Sequence, residues 1–339
     1  MRKIQFVLLI LFTLLFWGCT DKTWVKFSYN PIMPSGPAGT WNNYKTDPTV
    51  LRDGGFLKMW YGASEDGSET SVAYAESYDG INWGNAPWPV LETGPPGSWD
   101  EDYAECPTVL IDPDASPEKR YKMWYCGMAS SEEIYRIGYA TSPDGINWTK
   151  YENNPVLDIG DGFYDWDYLA VADPMVLYTG DGYMMWYTGA GFDTTGLPVF
   201  YLRIGLALSQ DGINWVKYPG NPVLDIGPPG SFEDRGVAAP SVLWNGEYLE
   251  MYYGGWSELG AGIMPKTDIG YAVSFDGMAW VKSENNPILE NGKPGDWDSD
   301  MVLAPSVLID ENQHKMWFTG QVISPTEIKI GIGYAIESD

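Results

Sequence analysis

Apolar residues in this chain fall in short stretches separated by clusters of Gly, Pro, Asn, Asp and Ser, and no long segment keeps the helical period. The stretches recur. Aligned with itself, the chain shows one unit used five times at a period of about 65 residues, in the range expected of propeller blades with modest insertions. The most regular part of the unit is SxDGxxW, which ends at Trp83, Trp148, Trp215 and Trp280. Asp-Gly between two apolar strands is a hairpin signal, because Gly accepts positive φ and Asp bonds back to its own turn. Asp79, Asp144, Asp211 and Asp276 are therefore expected to be structural.

Each unit continues with AsnProValLeu or a variant and a Gly-rich loop carrying an aromatic residue and usually an acid. A short strand follows, opened by Pro48, Pro107, Pro174, Pro240 or Pro305. MetTrpTyr-like strands at Trp60, Trp124, Trp186, Tyr252 and Trp317 come next, then IleGlyTyrAla-like strands at Tyr139, Leu206, Tyr271 and Tyr334. Four short strands per unit predict an all-β, five-bladed β-propeller. The fifth unit lacks its outermost strand. Thr23–Ile32 matches Asn214–Val223, so the N-terminal segment is expected to complete the last blade, close the ring and leave no open sheet edge.

One column breaks the repeat. The residue before the strand-opening proline is Asp47, Cys106, Asp173, Ala239 and Ala304 in units one to five, and the residue before that is Thr46, Glu105, Ala172, Ala238 and Leu303. Inner strands of a propeller begin around its axis, where ligand sites lie. Three adjacent units thus bring an acid to the mouth where the other two bring small or apolar groups. A structural reading also exists, with residues before proline held extended and Asp favoured at strand starts. On the functional reading, close carboxylates cannot all ionise readily, so one donates a proton while another stays a base. That arrangement suits glycoside hydrolysis.

The chain opens with Arg2 and Lys3, an apolar run from Ile4, and LeuPheTrpGlyCys ending at Cys19. This reads as a secretory leader over residues 1–18, too short for a comfortable membrane span, with Cys19 the expected lipidation site. Residues 19–339 form the propeller. The protein is expected to be monomeric, held at a bacterial membrane by its N-terminal lipid and facing the periplasm or the exterior. Acids outnumber bases 46 to 20, a net charge of −26 that excludes nucleic acid as a partner. Cys106 and Cys126 are either a disulfide or two buried thiols. Nothing suggests a zinc site or any other cofactor. A central calcium ion would suit the acidic charge, but no compact calcium-loop motif supports one. His314, the only histidine, is placed in a solvated polar turn.

ThrAspPro at Asp47, AlaAspPro at Asp173 and AlaGluCysPro at Ala104–Pro107 resemble the acid-bearing motifs of the five-bladed propeller glycosidases of families 32 and 43. AsnProIle at Asn30 and ArgIleGlyTyrAla from Arg136 resemble family 130. The order of acids departs from families 32 and 43, which run Asp, Asp, Glu where this chain runs Asp47, Glu105, Asp173. A full set of family 130 basic phosphate ligands is also missing. The resemblance implies an exported glycoside hydrolase acting on an oligosaccharide or polysaccharide, with Glu105 as general acid, Asp47 as base or nucleophile and Asp173 orienting the sugar. Arg136, Arg203 and Arg235 are candidate clamps on the ligand. Trp41, Trp99 and Trp166 are candidate stacking surfaces, although packing explains them more simply, since Phe232 occupies the same column in the fourth unit. The alternatives are a glycan-binding propeller without catalysis and a propeller that binds proteins.

Overall fold

A computed structural model describes residues 22–193, 199–257, 266–323 and 328–338, so the leader and Cys19 lie outside the described residues. The protein is all-β; among those residues the only helical element is a single 3-10 turn at Pro117–Lys119. A short strand β1 (Trp24–Lys26) comes first. Unit one then supplies β2 (Tyr44–Asp53), β3 (Phe56–Ser64), β4 (Ser71–Ser77) and β5 (Gly84–Asn85), and unit two β6 (Tyr103–Ile111), β7 (Tyr121–Met128), β8 (Arg136–Ser142) and β9 (Thr149–Lys150). Unit three has β10 (Ala170–Tyr178), β11 (Tyr183–Asp193), β12 (Val199–Ser209) and β13 (Val216–Lys217). Unit four has β14 (Gly236–Trp244), β15 (Leu249–Ser257), β16 (Lys266–Ser274) and β17 (Val281–Lys282). The last unit has β18 (Met301–Asp310), β19 (Gln313–Ile323) and β20 (Ile328–Glu337).

Within every unit consecutive strands pair antiparallel. Single parallel bridges, Thr70 to Tyr103, Leu202 to Gly236 and Thr267 to Met301, carry one unit into the next as the sheet curls. In the last unit the fourth place is taken by β1, which pairs with β20 in the register Trp24–Glu337, Val25–Ile336 and Lys26–Ala335.

The repeated SxDGxxW turn explains how units hold one another. The glycine carbonyl of each turn accepts an indole N–H from its own unit and a second from the neighbouring MetTrpTyr strand. Gly145 takes Trp148 and Trp60, Gly212 takes Trp215 and Trp124, Gly277 takes Trp280 and Trp186, and Gly80 takes Trp83 and Trp317. The paired indoles meet edge to face at 6.0–6.3 Å, a favoured aromatic geometry. These glycines have positive φ, and a Cβ on Gly145 would stand 2.8 Å from the Trp60 ring, so no other residue fits. The turn aspartates are structural, as expected: the Asp144 carboxylate accepts the amides of Ile146 and Asn147 at 2.9 and 2.8 Å.

Where the last unit has no such turn, Trp24 of β1 stands in, edge-on to Tyr252 at 5.6 Å. Lys26 likewise takes the place of Lys150, Lys217 and Lys282. Each of these pairs with the buried acid of a Gly-rich loop, Lys26 with Asp298 at 2.6 Å. Apolar clusters fill the space between successive units, and one joins Trp317 and Tyr334 of unit five to Val50 and Met59 of unit one.

The expectation for His314 does not hold. It lies in β19, half-buried, with its ring nitrogens 2.8 Å from Glu250 and 2.6 Å from Glu337. Lys22 reaches the same two carboxylates at 3.2 and 3.1 Å. Burial opposes the imidazolium, but the two carboxylate hydrogen bonds outweigh it and raise the His314 pKa to about 9. The acids come from β15 and β20, distant in sequence, which is why local composition suggested a turn.

Candidate active site

The first strand of every unit carries a bulge at the strand-opening proline. Thr46 pairs with Gly62 and Thr49 with Trp60, one extra residue on the inner strand, and the same slip occurs in all five units. The residue before each proline is not extended, as the structural reading had it, but left-handed, with φ of 51, 47, 49, 50 and 48° at Asp47, Cys106, Asp173, Ala239 and Ala304. Such φ values are costly for residues with a Cβ and need support from their surroundings. Support comes from the neighbouring unit: the amide of Asp47 donates to Thr319 Oγ1 at 2.8 Å, that of Asp173 to Cys126 Sγ at 3.0 Å and that of Ala239 to Thr188 Oγ1 at 2.9 Å. The five pre-proline residues and their prolines then converge on one narrow cavity of about 40 Å³.

Adjoining it is a cavity of about 760 Å³ on whose surface Asp47, Glu105 and Asp173 come together. All three carboxyl groups have raised pKa values. Burial is the largest cause for Glu105, the negative charge of Asp47 adds to it, and together they bring the acid to about 7 even though Tyr135 donates a hydrogen bond at 2.7 Å. For Asp47 burial and then the charge of Asp173 give about 6, partly offset by hydrogen bonds from Thr46 and Cys106. Burial also raises Asp173, against hydrogen bonds from Thr188, Cys106 and the Ala239 amide. Near neutral pH a cluster so placed can share protons, one carboxyl donating while another accepts.

The other predicted residues are placed elsewhere. Trp99 packs on Gly127 and Gly138, where a Cβ would approach its ring to 2.4 and 2.7 Å, and Trp166 does the same on Gly189 and Gly205. Trp41 joins the apolar cluster between units five and one. None of the three lines the cavity. The glycine three residues after Trp124 and after Trp186 was the signal for this packing. Arg136 is held by Glu132 and Asp158 at 2.7 and 2.8 Å, and Arg203 by Asp225 at 2.8 Å. Arg203 and Arg235 both lie over the ring of Tyr201. Sequence reasoning missed Tyr135 and Thr188, whose hydroxyls support the acids; Tyr135 precedes β8 at a position the repeat leaves unmarked, and Thr188 follows the Trp186–Tyr187 pair, in a repeated strand read only for its aromatic residues.

Cys106 and Cys126 are free thiols with raised pKa values. Their sulfurs and a carboxylate oxygen of Asp173 lie within 4.8 Å of one another, a set that could hold a soft metal ion. Two sulfurs make it unsuited to calcium, which takes oxygen ligands. The hydrogen bonds among Cys106, Cys126 and Asp173 account for the closeness without an ion. A wider groove of about 960 Å³ lies between units two and three, but it contains none of the three acids, and its Lys122 is paired with Asp112 at 2.6 Å.

This curled all-β architecture is that of propeller-like glycoside hydrolases. One solved glycoside hydrolase superposes with a TM-score of 0.74 at 21% identity over 93% of this chain and 93% of its own. A thermostable family-43 glycoside hydrolase gives 0.66 at 18% identity over 87% of this chain and 92% of its own. A structure from the family 130 of mannoside phosphorylases and glycoside hydrolases gives 0.67 at 15% identity over 94% of each chain. No protein-family model matches the chain. Two Mycobacterium tuberculosis proteins, "Uncharacterized protein MT1551" and "Uncharacterized protein Rv1502", are each 32% identical over 164 residues, 46% of this chain and 50% of theirs. The chain thus spans about half the length of the curated relatives it matches.

Proposed function

We propose that this protein is a glycoside hydrolase that cleaves an oligosaccharide with paired carboxylates, and that its five units are blades of a propeller whose ring β1 completes. The observation that carries the reading is the meeting of Glu105, Asp47 and Asp173 in one cavity, with the first two poised near pH 7 and 6. Glu105, the more readily protonated, delivers its proton to the departing glycosidic oxygen. Asp47, ionised first, acts from the other side as base on water or as nucleophile on the sugar, and Asp173 keeps the pair's affinity for protons high. Carboxyl groups about 6.5–9.5 Å apart invert the anomeric centre and groups about 5–5.5 Å apart retain it, so the stereochemistry of the product reports the role of Asp47. The leader and Cys19 complete the reading, with export and a lipid anchor a few residues before Lys22 holding the catalytic domain beside a bacterial membrane.

The test is hydrolysis of a panel of aryl glycosides and oligosaccharides by the full-length protein, beside Glu105→Gln and Asp47→Asn. Loss of turnover in both variants, with folding unchanged, supports the assignment. Glycan binding without turnover by any form would instead leave a sugar-binding propeller, the reading that the unusual order of the acids favours.

A further inference from the structure

The cavity that holds the acids is not symmetric about the axis. Unit one contributes Asp47 alone and unit five Leu303 alone, and the space extends over units two to four. On the side of units three and four the column that carries Glu105 becomes Ala172 and Ala238, and the wall is built from Leu169, Phe200, Leu202 and Trp256. Phe200 is 47% exposed, although it faces a cavity rather than packing into the core. The same cavity holds the three carboxyl groups and the hydroxyl of Tyr135.

No Lys, Arg or His lines the cavity among the described residues, and residues 194–198 and 258–265, which interrupt units three and four, contain none in their sequence. Nor does any Asn or Gln line it among the described residues. The described lining is therefore rich in carboxyl acceptors and holds no cationic donor, with one wall suited to apolar contact. A uronic acid or sulfated sugar would bring an anion to buried carboxylates with no cation to answer it, and like charges at close range repel strongly. Sugar hydroxyls can donate to the acids, but they gain nothing from Leu169, Leu202 and Phe200.

We infer that the ligand of this site is an uncharged glycoside bearing an apolar group, an aryl or alkyl aglycone or an equivalent apolar substituent, with the sugar over the acids and the apolar group against Phe200 and Trp256. The inference rests on the glycosidase reading for the sugar half of the ligand. The apolar half stands on the shape and lining of the cavity.

The experiment separates the two. Full-length Glu105→Gln protein, which binds without turning over, is titrated by calorimetry with methyl, phenyl and octyl glycosides of a set of common neutral hexoses, pentoses and deoxyhexoses, and with phenyl glycosides of uronic acids. For at least one sugar the phenyl or octyl glycoside is expected to bind about tenfold or more tightly than its methyl counterpart, as burial of that much apolar surface implies. The matching uronide is expected to bind at least about tenfold more weakly than the neutral phenyl glycoside. Phe200→Ala with Trp256→Ala, in the same background, is expected to erase the preference over methyl without abolishing binding of the methyl glycoside. Equal affinity for methyl and phenyl glycosides, a uronide that binds as well as the neutral sugar, or no binding by any member overturns the inference. Tight binding of neutral aryl glycosides that the unsubstituted protein fails to hydrolyse would sustain the ligand class and defeat only the hydrolase reading.

Discussion

Two sets of acids in this protein, one at the outer turns and one at the mouth, meet opposite electrostatic fates. At the outer turns Asp144 and Asp211 are surrounded by amides that their own turns point at them, and these hydrogen bonds outweigh burial and lower both pKa values to about 2. At the mouth Asp47 and Glu105 lose water without gaining enough donors, and each feels another acid nearby. One set stabilises its turn by being charged. The other is held in a place where charge is costly, the kind of environment a proton-transfer site uses.

Exchanging carboxylate for amide separates the sets most sharply. Glu105→Gln should lower kcat by about 10²–10⁴-fold, whereas Asp144→Asn should leave it unchanged; steady-state rates on a shared substrate decide. Next in size is the pH profile. Asp47 must be ionised and Glu105 protonated, so kcat/KM should rise through about pH 6 and fall through about pH 7, a narrow bell belonging to the pair as a unit. A profile flat from pH 5 to 8 would remove the case for these two roles.

Stability gives the mirror image. A carboxyl group whose pKa is raised on folding contributes stability that is fully present below its unfolded value near 4 and is lost as pH rises through 6 to 7. The turn aspartates, with lowered values, contribute stability present above pH 4 and lost only as pH falls through about 2. Thermal melts of the Asp47→Asn, Glu105→Gln double variant should therefore be flatter than the unsubstituted protein between pH 4 and 7, with a higher Tm at pH 8. Asp144→Ala should cost about 1 kcal/mol by denaturant unfolding at neutral pH. The smallest effect is expected of Tyr135→Phe. Its hydroxyl favours the charged form of Glu105, so its loss should move the alkaline limb up by about one unit or less, with the acid limb fixed.

What could be read in the amino-acid order is what each unit repeats. SxDGxxW carries its own hairpin and its own aspartate cap, so four turns and the strands beside them were visible, as was the match of Thr23–Ile32 to an outermost strand. The three acids were visible because they interrupt that repetition. What escaped depends on partners from other units. The left-handed backbone at Asp47 and Asp173 is sustained by Thr319 and Cys126, and His314 is charged by Glu250 across a unit boundary. The tryptophans of the Gly-rich loops were ambiguous for the opposite reason. An indole that packs on glycine and one that stacks on sugar have the same composition around them, and only the location of the cavity tells them apart.

The pairing of β1 with β20 bears on how this chain is made. Asn30 and Tyr334, which bond through the Tyr334 amide, are 304 residues apart. The earlier strand must wait for one synthesised about 300 residues later, and contacts of such separation form slowly. Until then β20 is an exposed edge able to recruit the wrong strand. Dependence on a partner strand is thus greatest during synthesis. A circular permutant opened at the Gly246 turn, with Trp24–Lys26 moved directly after β20, would make that pairing local.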